Sequence, residues 1–195
     1  MTLNKNNLFY VRNLQKKMYF PNDEFISALF MLEKFLFDNF SFTEEAPLKI
    51  IKQKWIYDSI EKDDYTNDVT KNFESFSDLQ LKNKVLDLIE TFSAIPNVDN
   101  KNKFLEKFQK FNKKFNLLIN MRSNSFATSM NFQLILLIYV KKFQTNNWLS
   151  DKYFGDNASC DAFEIVFIEI FKKKNIFNIS KSYYLLKLIL KLIRG

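Results

Sequence analysis

Glycine is scarce in this chain, and the scarcity limits its fold more than any other sequence feature. The 195 residues include two glycines, Gly155 and Gly195, and three prolines. Two glycines cannot supply the tight turns of a many-stranded antiparallel fold or a glycine loop around a phosphate. Because 47% of the residues are hydrophobic and 23 are Phe, the chain can bury a substantial core. We therefore predict an all-α protein in which residues 1–195 form a single helical domain.

The side-chain types that the sequence lacks exclude several kinds of chemistry. There is no histidine, which removes Ser-His-Asp and Cys-His catalysis and His-ligated zinc. The single cysteine, Cys160, cannot form an intrachain disulfide or a cysteine metal cluster, and we interpret it as a packed thiol. Carboxylates, lysines, aromatic rings and surfaces are what remain for function.

The chain is basic, with 29 Lys and Arg against 22 Asp and Glu and a formal net charge of +7. A basic surface attracts nucleic acids and anionic membranes. The codons of an A+T-rich genome also enrich Lys, Asn, Ile, Phe and Tyr, and this chain is rich in all five. The charge is therefore not specific evidence for either partner, and we do not expect nucleic acid to be the partner.

Apolar residues recur with helical periodicity from end to end. The pattern predicts about seven helices, at 23–39, 48–62, 79–94, 101–119, 125–143, 161–173 and 181–194. Asn22 or Asp23 is predicted to cap the first helix and Ser180 the last. The Phe-rich stripe of residues 104–119 is predicted to be core and not a platform for stacking bases. In the second predicted helix, the residues expected to point inward are Ile51, Trp55 and Ile56.

Carboxylates are the candidates for metal binding or acid–base work. Asp64 and Asp68 have the D-x-x-x-D spacing, which on a helix would place both on one face, as a magnesium–diphosphate site requires. They fall in residues 63–76, however, a polar stretch without periodicity, so we interpret them as solvated loop residues. Glu164 and Glu169 are predicted to flank the apolar stripe of their helix.

The last predicted helix combines a basic stripe with an apolar remainder. Lys187, Lys191 and Arg194 fall at i, i+4 and i+7 on one face, and leucines and isoleucines occupy most of the other positions. This pattern is typical of an interfacial membrane helix or of a helix that fills a groove in a partner. The alternative is a C-terminal core helix whose lysines are its wet side.

Neither a membrane span nor a secretory signal is expected from the sequence. The longest apolar stretch, residues 132–140, is about half a membrane span, and residues 1–17 have no apolar h-region. We expect a protein of the cytoplasm or the mitochondrial matrix, either soluble or peripheral on the inner membrane.

Residues 20–62 resemble the N-terminal part of the squalene/phytoene synthase family. The resemblance consists of a helix, an acidic loop and a tryptophan helix in that order, and it points to the enzyme-like relatives that include a complex I assembly factor. The matching residues are Ala28, Leu29, Leu32, Glu45, Leu48, Ile51, Lys52, Trp55, Asp58 and Glu61. Ile56 and Tyr57 depart from the family pattern. The resemblance implies an isoprenoid-synthase-like helical fold in which Glu45, Lys52, Trp55 and Asp58 are structural motif residues.

The departures from this family matter most for function. Its synthases hold magnesium and prenyl diphosphate on two D-x-x-x-D segments. Carried over to this sequence, the first would fall at Phe37 and Ser41, and the second in the helix at 125–143, which contains no acid. A diphosphate needs a metal held on carboxylates. The resemblance therefore implies a non-catalytic protein without a cofactor.

By resemblance to the assembly-factor branch, we expect a helper in complex I biogenesis at the inner membrane surface. A former isoprenoid cavity would bind a prenyl or lipid tail, and Lys187, Lys191 and Arg194 would contact anionic lipid. One alternative is a divergent magnesium-dependent head-to-head prenyltransferase that uses Asp64 and Asp68. Another is a basic helical module that binds nucleic acid or protein.

Overall fold

The computed structural model describes residues 10–39, 46–75, 78–95, 98, 100–124, 126–141, 161–174 and 181–194. Within these residues the chain forms α-helices, together with a short 3-10 helix at Lys71–Phe73, and no strand. The α-helices are α1 Tyr10–Tyr19, α2 Glu24–Asn39, α3 Ala46–Glu61, α4 Leu79–Ser93, α5 Lys101–Asn120, α6 Met130–Lys141, α7 Ala162–Lys174 and α8 Lys181–Arg194. The prediction of an all-α protein is confirmed.

Side-chain caps begin several of the helices. The Asp23 carboxylate accepts a hydrogen bond from the Ile26 amide at 3.0 Å, so the predicted cap of α2 is confirmed. Asp78 caps α4 by accepting from the Gln80 amide at 2.8 Å. Asn100 caps α5 by accepting from the amides two and three residues later, at 2.9 and 3.3 Å. Each cap pairs backbone donors that the first helical turn leaves unpaired.

The Phe-rich stripe of α5 forms the centre of the core, as predicted. Phe104, Phe108, Phe111 and Phe115 are at most 2% exposed. Across the helices, Phe37 of α2, Phe92 of α4 and Phe111 of α5 form a triangle with ring centroids 5.1–6.0 Å apart. Such spacings are those of favourable aromatic pairs. The core between these helices is therefore filled by rings in mutual contact.

Helix α1 was not predicted, and it connects the two ends of the chain. It packs against both α2 and α7, while α7 also packs against α6 and α8. The buried residues of α1 are Val11, Arg12 and Gln15. Two of the three are polar, so an apolar periodicity cannot reveal this helix.

In α3 the prediction of the inward face is partly wrong. Ile56 is buried, but Ile51 is 62% exposed and Trp55 is 46% exposed. The buried residues of α3 are Gln53, Ile56, Ser59 and Ile60. Apolar residues occur on more than one side of this helix, so its sequence does not single out the buried side. Trp55 lies at the edge, with its ring centroid 5.9 Å from that of Phe35 on α2.

Candidate functional site

Among the described residues, a buried arginine lies at the centre of an extended group of polar contacts between helices. Arg12 is 1% exposed, and its Nε and Nη2 each donate to one oxygen of Glu33 at 2.8 Å. Its Nη1 donates to Glu164 at 3.0 Å and to Gln15 at 2.9 Å. Its Nη2 also donates to the Thr128 hydroxyl at 2.7 Å. These contacts use all five N–H donors of the guanidinium.

The same polar group extends to residues of α5 and α6. We call it the Arg12 cluster; its members are Arg12, Gln15, Glu33, Asn112, Thr128, Ser129, Gln133, Asp161 and Glu164. Glu164 accepts from the Thr128 hydroxyl at 2.6 Å and from the Ser129 amide at 2.7 Å. Gln133 donates to Glu33 at 2.6 Å and accepts from Asn112 at 3.0 Å. The cluster therefore links α1, α2, α5, α6 and α7.

The Arg12 cluster contains one cation, Arg12, and three acids, Glu33, Asp161 and Glu164. Burial removes water from these groups and affects the pKa values of Arg12, Asp161 and Glu164. Burial raises the pKa of Glu164 to about 7, although Arg12 opposes the shift. Burial also raises the pKa of Asp161. Burial alone would lower the pKa of Arg12, but Glu33 and Glu164 outweigh it and the pKa is raised. The guanidinium also lies 4.8 Å from the ring centroid of Phe132, a cation–π distance.

The Arg12 cluster is suited to holding helices together. Its arginine donors all point to partners within the chain, so no N–H of the guanidinium is left to bind a substrate. Buried charges of this kind are tolerated only when they are paired and hydrogen-bonded. The prediction that Glu164 flanks an apolar stripe is wrong, because Glu164 is fully buried. Glu169 is exposed, as predicted.

The two aspartates considered for magnesium lie in an exposed irregular segment. The Asp64 carboxylate accepts from the hydroxyl and amide of Thr66 at 2.6 and 3.2 Å. The Asp68 carboxylate pairs with Lys71 at 2.7 Å. These partners lower the pKa of both aspartates. Among the residues that the structure describes, no group of three or more Asp, Glu or Cys side chains is arranged to hold a metal ion.

Helix α8 buries one side and leaves an apolar side in water. Tyr184 and Leu188 are buried, and the Tyr184 hydroxyl donates to the Phe163 carbonyl of α7 at 2.9 Å. The opposite side exposes large apolar side chains to between 38% and 76%. We call it the outer face of α8; its members are Leu186, Ile189, Leu190, Leu192 and Ile193. The exposed side of α8 therefore contains leucines and isoleucines as well as lysines.

Cations accompany this apolar face. Lys187 and Lys191 are exposed, and residues 181–194 contain no acid. The Lys191 ammonium lies 3.9 Å from the Glu169 carboxylate of α7. Arg194 ends the helix, but its side chain lies outside the described part of the structure. In the described residues, no helix has the length and apolar character needed to cross a bilayer.

The family-motif residues fall mainly on α3. Lys52 is partly exposed, Asp58 accepts from Lys54 at 3.1 Å, and Trp55 touches Phe35 as described above. They lie outside the Arg12 cluster. Glu45, the loop acid of the motif, and Cys160 lie outside the described residues.

Sequence reasoning missed most of the Arg12 cluster. Two weak signals were present. Glu33 follows Leu29 by four residues and precedes Leu36 by three, so it falls on a buried stripe of α2. Gln133 interrupts an otherwise apolar run. A polar residue at such a position implies a buried partner, but one sequence does not show which residue that is.

Comparison of the chain with protein-family models, with curated proteins and with solved structures finds no match. The geometry of the described residues is then what bears on function, and it includes the apolar side chains that α8 exposes to water.

Proposed function

We propose that this chain is a non-catalytic protein that binds the surface of anionic membranes through α8. The observation that carries the proposal is the outer face of α8, where Ile193 is 76% exposed and Leu186 is 55% exposed. Exposed lysines accompany this face on a helix segment without acids. Apolar side chains next to cations suit the boundary between acyl chains and anionic headgroups.

Two contributions to membrane binding are of similar size. Each half-exposed leucine or isoleucine that leaves water contributes about 1 kcal/mol, roughly half of the value for full burial. Each lysine near an anionic bilayer contributes about 1 kcal/mol. Because neither contribution dominates, binding should need both the apolar side chains and anionic lipid.

The lipid contact is proposed on the outside of the protein and not in a central cavity. The rings of Phe37, Phe92 and Phe111 contact one another at 5.1–6.0 Å, and these residues are fully buried. A prenyl tail placed among them would have to displace packed rings, which costs several kcal/mol in a close-packed interior. The outer face of α8 is accessible without such rearrangement.

The resemblance at residues 20–62 extends the proposal to a squalene/phytoene-synthase-like fold and to a helper role in assembling respiratory complex I. The order of α2 and α3 supports the fold, and Phe37, a core ring where the family motif would have an acid, supports the non-catalytic part of the proposal. The non-catalytic part has a direct test. Magnesium-dependent turnover of farnesyl or geranylgeranyl diphosphate, lost in the Asp64→Asn/Asp68→Asn variant, would overturn it.

Vesicle co-sedimentation tests the membrane proposal. We expect the protein to sediment with vesicles of phosphatidylcholine and phosphatidylserine, less so as salt increases, and not with phosphatidylcholine alone. Ile189→Ser/Ile193→Ser should weaken binding by about thirtyfold, since two contributions of about 1 kcal/mol are lost. Lys187→Gln/Lys191→Gln should weaken it and flatten its salt dependence.

The matched control replaces apolar residues that are equally exposed elsewhere. Leu79 on α4 is 67% exposed and Leu117 on α5 is 62% exposed. The Leu79→Ser/Leu117→Ser variant should bind vesicles as the unmodified protein does. Equal losses in this variant and in the α8 variant would show nonspecific adsorption and would overturn the proposal.

A further inference from the structure

An open groove lies between α3 and α4, with a volume of about 300 Å³. It lies on the side of α3 that faces α4, away from the α2 contact of Trp55. The residues that matter for its chemistry are Ile50, Gln53 and Tyr57 of α3 and Ile89, Glu90 and Ser93 of α4. The volume is at the lower end of the range for ligand pockets.

Gln53 provides the signal that this groove binds something. The residue is 5% exposed, and its Nε2 has no hydrogen-bond partner in the part of the chain that the structure describes. A buried donor without a partner costs about 1–3 kcal/mol. Nε2 itself has no surface open to water, so the amide must turn towards the groove before a ligand acceptor can reach it and remove the cost.

The other polar groups of the groove narrow the chemistry of that ligand. The Ser93 hydroxyl already donates to the Glu90 carbonyl at 2.7 Å, and Lys54 at the rim pairs with Asp58. Glu90 is exposed; the Tyr57 hydroxyl donates to its carboxylate, which can still accept further hydrogen bonds. The groove therefore offers one amide donor and one anionic acceptor, and Glu90 disfavours a negatively charged ligand.

We propose that this groove binds an extended peptide segment of a partner protein. A backbone C=O of the segment accepts from Gln53 Nε2, a backbone N–H donates to Glu90, and an apolar side chain lies against Ile50 and Ile89. A neutral peptide group carries this donor and acceptor together. A helical partner would not suffice, because its backbone groups are already paired along the helix; an extended segment leaves them free.

NMR titration with a minimal peptide unit tests the proposal. The probe is N-acetyl-leucine N-methylamide, which carries peptide N–H and C=O groups and one apolar side chain. We expect it to shift the side-chain amide signals of Gln53 and the backbone signals of Ile89 and Ser93. Gln53→Leu should weaken the binding at least tenfold. Gln109→Leu, a change to an exposed glutamine of α5, should leave it unchanged.

Glu90→Ala provides a second variant, because Glu90 is exposed and its replacement should not affect folding. It should weaken probe binding severalfold. The proposal is overturned by an unchanged affinity in both variants, by shifts spread evenly over the surface, or by the absence of shifts at Gln53. Concentration-dependent self-association that moves the same signals without the probe would assign the groove to a second copy of this chain and would also overturn it.

Discussion

The Arg12 cluster and the outer face of α8 reverse the usual distribution of polar and apolar side chains. Arg12 carries a charge in the interior at 1% exposure, whereas Ile193 is an apolar side chain at 76% exposure. Within the cluster, each guanidinium donor finds an acceptor from the same chain. The outer face of α8 has apolar groups in contact with water instead. The fold itself therefore explains the cluster, whereas no described residue covers the outer face, where we propose the membrane contact.

The strongest test of this comparison is the removal of the buried cation. Arg12→Met leaves Glu33 and Glu164 buried without their partner, which should lower the free energy of unfolding by about 3–5 kcal/mol. Urea denaturation measures it. The control, Lys17→Met, changes an exposed lysine of the same helix and should shift the free energy by less than about 0.5 kcal/mol. Similar effects of the two changes would show that the cluster does not hold the helices together.

A second test uses the pH dependence of stability. Burial raises the pKa of Glu164 from its ordinary 4.5 to about 7, so the folded state holds this proton more tightly than the unfolded state. The free energy of unfolding should therefore fall as pH rises from about 4.5 to 7, by about 2–3 kcal/mol from this group. Asp161, whose pKa is also raised by burial, acts in the same direction.

Urea denaturation at several pH values checks this dependence. Glu164→Gln should reduce the change in the free energy of unfolding between about pH 4.5 and pH 7, because the glutamine does not titrate. Glu169→Gln, an exposed change on the same helix, should keep the slope. Asp161 should leave a smaller slope in the Glu164→Gln variant, and a slope as steep as that of the unmodified protein would refute the assignment.

The outer face of α8 should contribute little to stability. Ile189→Ser/Ile193→Ser should lower the free energy of unfolding by only about 1 kcal/mol in total, because about half or more of each side chain is already exposed. Leu188→Ala, at a neighbouring buried position, should cost about 2 kcal/mol or more. Thermal or urea unfolding compares them. A large cost for the double serine variant would mean that this face is buried by the protein itself.

The smallest effect is expected for the exposed acids. Asp64→Asn/Asp68→Asn should leave the unfolding midpoint unchanged, since their partners Thr66 and Lys71 are exposed neighbours. The measurement also sharpens the contrast with Glu164, because an acid matters to stability where it is buried. A clear loss of stability would show that this loop is held by more than these local contacts.

Much of the fold could be predicted from apolar periodicity and capping residues. The Phe stripe of α5 is regular over several turns, and Asp23 is a strong cap, so both predictions were confirmed. The basic stripe of α8 was also visible in the sequence. The position of the exposed apolar side was not, because the sequence does not show which side of an almost wholly apolar helix is buried.

The polar interior could not be predicted for a different reason. Arg12 and Glu164 are 152 positions apart, and no local pattern connects them. Charged residues are rarely buried, so their default interpretation is a wet surface. That default also placed Glu164 at the edge of an apolar stripe and left α1 unrecognised. The opposite error occurred in α3. Ile51 and Trp55 are apolar and were predicted to point inward, but they are exposed.

The distance along the chain between Arg12 and Glu164 has a consequence during synthesis. Helix α1 leaves the ribosome early, but the α7 carboxylate that pairs with Arg12 emerges only after most of the chain has been made. Contacts of such high sequence separation form late and slow the final step of folding. Until then, α1 lacks α7, a helix against which it packs. A nascent chain arrested before α7 should accordingly leave α1 open to protease, and release of the arrest should close it.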